Sequence, residues 1–191
     1  MESEEVTSHI KQQLLRFLAL LVLLVPTQLA AETPEEFSQR YLQELRSKGL
    51  SGVTGFIHPD EAKKLGEMLI ELADIAEKAG QKVPFFGPDD TAAALRKLPP
   101  EKLCVKFFSF VEKAAPQLTQ MLSGAQAKTI GHVTDGDTIY VVAKLTFEIE
   151  GESIAATDVM PLKKDGESYK VLLKAEVTNL LRAMKKQLAA K

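Results

Sequence analysis

Between Thr33 and Ala114 apolar residues recur every three or four positions, and beyond Ala127 every second, so a helical half is expected to precede a half built of strands. Thr33-Pro34-Glu35-Glu36 is a capping box with proline at the first helical position, and Phe37, Tyr41 and Leu45 follow at a spacing of four. Gly49 is expected to close this helix. A second begins at Pro59, carries Ala62, Leu65, Leu69, Leu72, Ala76 and Ala79 along one stripe, and ends at Gly80, with His58 at or just before its N-cap. A short Ala-rich helix is expected near Thr91 to Lys97. Another starts at Pro99-Pro100-Glu101 and carries Leu103, Phe107, Phe110 and Ala114, and Pro116 bends or ends it. The loop between them, Gln81 to Asp90, displays Phe85 and Phe86, whose rings are expected to plug the core in preference to forming a lid over a pocket.

The alternation after Ala127 is punctuated by Asp135-Gly136, Glu150-Gly151 and Asp165-Gly166, which predicts four antiparallel strands joined by tight turns. If each pair of residues is itself a two-residue hairpin loop, partner numbers sum to 271, 301 and 331, and the register can be written out. One face then collects Ile130 with Val141, Val141 with Met160, Met160 with Val171, Phe147 with Ile154 and Leu162 with Tyr169. That face should meet the helices. The chain closes on an amphipathic helix with Val177, Leu180, Leu181, Met184 and Leu188 on one side and Arg182, Lys185 and Lys186 on the other. It is expected to pack on the domain, the alternative being an acidic membrane surface.

Residues 1–31 combine Lys11 and Arg16, the apolar run Phe17 to Val25, then Pro26 and Leu29-Ala30-Ala31 before Glu32. This reads as a secretory signal peptide cut near Ala31, which places the protein in the periplasm or outside the cell. Retention as an anchor is the alternative, but a spanning helix needs about 20 consecutive apolar residues, so no stable membrane span is expected after cleavage. Without the three acids and two bases of that segment, 22 basic and 23 acidic residues remain, a balance that argues against nucleic acid as a partner. Residues 32–191 suit one domain. Cys104, the sole cysteine, sits among Phe107, Phe108 and Val111 at helical spacing and reads as a buried thiol before an intermolecular link. Only His58 and His132 remain after export, no cluster has metal-ligand spacing, and no phosphate loop or nucleophile elbow is present, so neither metal nor cofactor is expected.

Helices first, then a meander reading Asp135-Gly136-Asp137-Thr138-Ile139-Tyr140-Val141-Val142 and later Leu162-Lys163-Lys164-Asp165-Gly166-Glu167-Ser168-Tyr169-Lys170-Val171, resembles the nuclear transport factor 2-like superfamily over about residues 33 to 176. The resemblance implies an α+β cone, N-terminal helices packed on a curled four-stranded antiparallel meander, here with an extra C-terminal amphipathic helix. Its members include isomerases, hydrolases, dehydratases and many proteins without catalysis. No enzyme subfamily's catalytic set maps onto this chain.

The written-out register places Lys128, Ala143, Asp158 and Leu173 in one row of the core-facing side, a carboxylate where apolar groups are expected. Lys128 lies about 10 Å from Asp158 at the β-carbons, two strand spacings away, and could reach over Ala143 to pair with it. Either the pair simply satisfies an internal charge, or Asp158 forms the floor of a pocket as general base or ligand-orienting group, with Lys128, His132 and Tyr169 around a polar or small apolar organic ligand. The pocket reading requires a cavity of about 300 Å³ or more between sheet and helices. On the other face Val142, Val159 and Leu172 form a row beside Tyr140, Pro161 and Lys170, bordered by Lys144, Thr157 and Lys174, and this suggests a contact patch for the terminal helix or for a second copy in a homodimer. The expectation is an exported ligand-binding or protein-interaction module, with a pocket enzyme using Asp158 as the alternative.

Overall fold

A computed structural model describes residues 31–81, 87, 90–149 and 152–189. Residues 1–30 of the expected signal peptide, the expected Phe85-Phe86 plug and the Glu150-Gly151 corner lie outside the described residues. The chain divides between Ala31 and Glu32, and the following concerns Glu32–Lys191.

Helix α1, Pro34–Gly52, starts where the capping box predicts: the Thr33 hydroxyl accepts from the Glu36 amide at 3.2 Å and Glu36 Oε2 accepts from the Thr33 amide at 2.8 Å. At Gly49 (φ 73°, ψ −171°) the helix kinks, then resumes for one more short stretch instead of stopping. A 3₁₀ turn, Thr54–Phe56, leads to α2, Pro59–Lys78, whose N-cap is His58, its Nδ1 accepting from the Asp60 amide at 3.2 Å. Short α3, Ala92–Leu95, is capped by the Thr91 hydroxyl, and α4 runs Pro100–Ala114. Pro116 does not merely end α4; it opens a further helix, α5, Pro116–Gly124, because a proline at the first helical position gives up an amide that has no intrahelical partner anyway.

Four antiparallel strands follow in the order β1-β2-β3-β4: β1 Gln126–Asp135, β2 Thr138–Ile149, β3 Glu152–Asp165 and β4 Ser168–Val171. The middle hairpin keeps the expected sum of 301 from Thr138 opposite Lys163 to Ile149 opposite Glu152. The outer two do not. In both, glycine is the first loop residue, Gly136 (φ 60°) and Gly166 (φ 63°), so Asp135 pairs with Thr138 and Asp165 with Ser168. A tight hairpin needs positive φ at its first loop residue, and glycine takes that place at no steric cost. Sliding a pair by two residues leaves each side chain on its face: Val171 stays inward but opposes Leu162 instead of Met160, and Tyr169 opposes Lys164.

A β-bulge between Thr129 and Gly131 makes a larger correction. From Gly131 to Asp135 partners sum to 273, and from Gln126 to Thr129 to 272, so Ile130 has no partner and is 64% exposed instead of facing the helices. The odd shift exchanges faces: Thr129, not Lys128, lines up with Ala143 and Asp158, while Lys128 opposes Lys144 on the outer side.

Two clusters hold the domain together. Leu65, Leu69, Leu72 and Ala76 of α2 pack with Leu95, Leu103, Cys104 and Phe107, and the C-terminal helix α6, Ala175–Ala189, seals this cluster with Leu181, Val177, Met184 and Leu188. Lys185 adds an ion pair to Glu71. Leu180, expected on the packed side, is exposed. The second cluster joins Phe37 of α1 to Val141, Met160 and Leu162 of the sheet, with Tyr41, Phe56, Tyr169 and Val171 around it. Phe37 meets Phe56 and Tyr169 edge to face at 5.7 and 5.9 Å. The Arg40 guanidinium covers Phe37 and Phe56 at 5.1 and 5.0 Å and is held by both oxygens of Glu32, which also accepts from the Ser168 hydroxyl at 2.8 Å. Among the described residues no helix is long and apolar enough to cross a membrane.

Candidate functional site

Asp158 does face α1, because the middle hairpin holds its register, but its partner is different from the one expected. β4 ends at Val171, and in the short passage to α6 Lys174, expected on the outer face, brings its ammonium to Asp158 Oδ1. Both side chains are 39% exposed, so the pair sits at a mouth and not in the interior. Beneath it lies a cavity of about 130 Å³ between α1 and the sheet, its wall formed by Tyr41, Leu42, Leu145, Met160 and Val171. That is well below the roughly 300 Å³ at which organic ligands are ordinarily enclosed. Burial, and then the negative charge of Asp158, push the Tyr41 phenol up to about 12. The chemistry available here is thus a solvent-reached carboxylate, a neutralising lysine and a phenol kept protonated.

The other expected members of the site are dispersed. Lys128 stands on the outer side of the β1 edge. His132 faces inward opposite Val141, and its Nδ1 lies 2.6 Å from Glu35 Oε1 in the first turn of α1. The imidazole holds the Glu35 carboxyl below the ordinary carboxylate range, and the contact ties strand to helix. Tyr169 is part of the aromatic cluster, two rows away from His132 in the corrected register. Structure therefore unites Asp158 with Lys174 and Tyr41 and separates it from Lys128, His132 and Tyr169. Comparison with family models, curated proteins and solved structures gives no match.

Other places among the described residues have open geometry. On the outer face of the sheet Val133 (63% exposed) and Val159 (42%) border Tyr140, Val142, Pro161 and Leu172, and α6 packs on α2 without covering them. Pro161 accepts from the Leu172 amide at 2.8 Å, so Leu172 extends the row of Val133, Tyr140 and Pro161 and not that of Val142 and Val159. A cleft of about 820 Å³ separates α1 from the β1 edge, lined by Gln39, Gln43, Arg46 and Ser47 on the helix and by Ala127, Lys128 and Thr129 on the strand. Thr129 Oγ1 is buried without a hydrogen-bond partner among the described residues. Among the described residues no group of three His, Cys, Asp or Glu side chains is placed to hold a metal ion.

Proposed function

We propose that this chain is an exported interaction module, a nuclear transport factor 2-like domain that works through its surfaces and not through pocket catalysis. The observation that carries this reading is the state of Asp158: a general base needs a substrate within hydrogen-bond reach, whereas this carboxylate is engaged by Lys174 over a cavity of about 130 Å³. Helices preceding a four-stranded meander support the superfamily, and the run Phe17 to Val25 followed by Leu29-Ala30-Ala31 supports export. Native mass spectrometry of the purified protein tests the whole reading. The expected mass corresponds to residues 32–191 with nothing retained; an organic molecule that stays bound and is lost in Asp158→Asn would return the site to pocket chemistry.

A second copy is the partner favoured for the outer sheet face. Its apolar rows lie between a turn end that holds Asp135 and Asp165, beside Lys163 paired to Asp137 and Lys170 bonded to Gly55 O, and two bases, Lys128 and Lys144, towards the other end; Asp135, Asp165, Lys128 and Lys144 have no ion-pair partner among the described residues. A two-fold axis across the strands sets these unlike charges against each other, as a self-complementary interface requires. Light scattering should give a dimer that Val159→Lys converts to a monomer. A wild-type protein that stays monomeric at high micromolar concentration removes the dimer.

A further inference from the structure

The two edges of the sheet are treated differently by the chain. The β4 edge is closed: Ile57 bridges Val171, the His58 amide donates to Val171 O at 2.9 Å, and Lys170 Nζ donates to Gly55 O at 2.8 Å. The β1 edge is longer and has no such cover. Among the described residues no backbone hydrogen bond joins Gln126–Asp135 to anything but β2. An unpaired edge is ordinarily blunted, and here the bulge at Ile130 and the edge residue Lys128 serve that end, discouraging a second edge that carries its own lysine. The bulge divides the edge into two straight stretches, Gln126–Thr129 and Gly131–Asp135, and the first, about 14 Å long at strand spacing, runs beside the cleft against α1.

The charge around this stretch is one-sided. Arg46 overlooks it from the helix and Lys128 from the outer side of the strand, and neither has an ion-pair partner among the described residues. Among those residues no carboxylate lines the cleft; its remaining polar groups are the amides of Gln39 and Gln43 and the hydroxyls of Ser47 and Thr129. A strand laid along the edge would direct successive side chains to alternate sides, towards Arg46 and then towards Lys128. Leu42 and Ala127 supply apolar lining.

We propose that the β1 edge and the cleft beside α1 bind an extended acidic peptide segment by strand addition, with Arg46 and Lys128 selecting its carboxylates. This deepens the interaction-module reading and rests on it. Main-chain bonds to Gln126–Thr129 supply pairing, and the two cations supply selectivity, since an added strand of basic residues would meet like charge on both sides.

The test uses an end-capped octapeptide in which pairs of glutamates alternate with pairs of valines, so that glutamates face both sides, titrated into the purified protein while amide resonances are followed. Shifts are expected at Ala127–Thr129 and in α1 near Gln43. Binding should weaken about tenfold or more in the Arg46→Glu, Lys128→Glu double variant, and the lysine-valine analogue should then bind that variant in its place. Both replaced side chains are exposed and unpaired among the described residues, and the gain of the reversed peptide shows that the variant is folded. An analogue with N-methylated glutamates should not bind, because it lacks the donors that pair with the edge. Unmoved edge amides would overturn the proposal. So would an N-methylated peptide, or free glutarate, that binds as well as the octapeptide, either of which reduces the cleft to a plain anion site. If the edge stays silent in a protein that still self-associates through Val159, the interaction module stands and this site alone is lost.

Discussion

Replacing Gly49 by alanine should destabilise the domain by about 3 kcal/mol, from two causes that can be separated. At φ 73° and ψ −171° the residue occupies a region essentially reserved for glycine, and any side chain there costs about 1–3 kcal/mol in backbone strain. A β-carbon would also stand 2.2 Å from Glu112 Oε1 and 3.3 Å from its Cδ, so the carboxylate must move. Glu112 accepts from the Ser51 amide at 3.1 Å and from the Ser51 hydroxyl at 2.9 Å, which ties the end of α1 to α4. Displacing a partly solvated carboxylate from two such bonds costs about 1 kcal/mol net. For a domain of this size the sum lowers the melting temperature by about 6–12 °C. Thermal and urea unfolding should be measured for Gly49→Ala, Glu112→Ala and the double variant. The double variant is expected to be little worse than Gly49→Ala, since the first substitution already forfeits the Ser51 bonds. A Gly49→Ala protein as stable as wild type would refute the strain, and costs that simply add would refute the shared contact.

Tyr41 supplies a pH dependence of definite sign. Its folded value of about 12 lies above an unfolded value of about 10, so the stability it contributes is complete below pH 10 and is lost as pH rises towards 12, at most about 3 kcal/mol in all. Tyr41→Phe should remove this part of the alkaline loss, and Asp158→Asn should lower the phenol's titration midpoint; an unchanged alkaline profile in both would contradict the burial assigned to the ring. Burial, followed by the charge of Glu101, pushes the Cys104 thiol up to about 11, so a thiol reagent at neutral pH should label it only as fast as the domain unfolds. Rapid labelling of the native protein would refute that. For Asp158 and Lys174, a double-mutant cycle with asparagine and methionine should give no more than about 1 kcal/mol of coupling, as expected for half-exposed partners. A much larger coupling would mean that the pair is shielded from solvent.

The features that were legible from sequence are those set by a few neighbouring residues. Thr33 and Glu36 close their capping box with each other, His58 caps α2 through a bond to Asp60, and Leu65, Leu69 and Leu72 fall on the buried stripe their spacing requires. Turns were legible to within one residue, because an Asp-Gly pair marks a reversal without saying whether glycine is its first or second loop residue. Only the middle hairpin kept the expected register. Pro116 was ambiguous for a similar reason, since a proline ends one helix and begins the next with equal ease. Lys174 could not be found as the partner of Asp158 by strand arithmetic, because it lies beyond the last paired residue of β4. The bulge did leave a signal in Gly131, an isolated glycine within an otherwise regular strand.

That bulge follows from a comparison of two costs. With glycine first in the β1–β2 turn and no bulge, a constant sum of 273 would set Lys128 opposite Leu145 on the face that meets α1. Removing an ammonium from water costs several kcal/mol even after relaxation, and Asp158, the acid one row away on that face, is already engaged by Lys174. Leaving Ile130 largely exposed forfeits at most about 2–3 kcal/mol of apolar burial. Burying the charge would cost more, so the strand ejects an isoleucine to keep a lysine outside and places Thr129 in the inward row. The same insertion ends the first straight stretch of the edge at Thr129 and leaves Lys128 standing on its outer side, across the strand from Arg46. Core protection and edge chemistry are therefore one event: the residue that keeps a charge out of the interior is also the one that sets a cation beside the open edge.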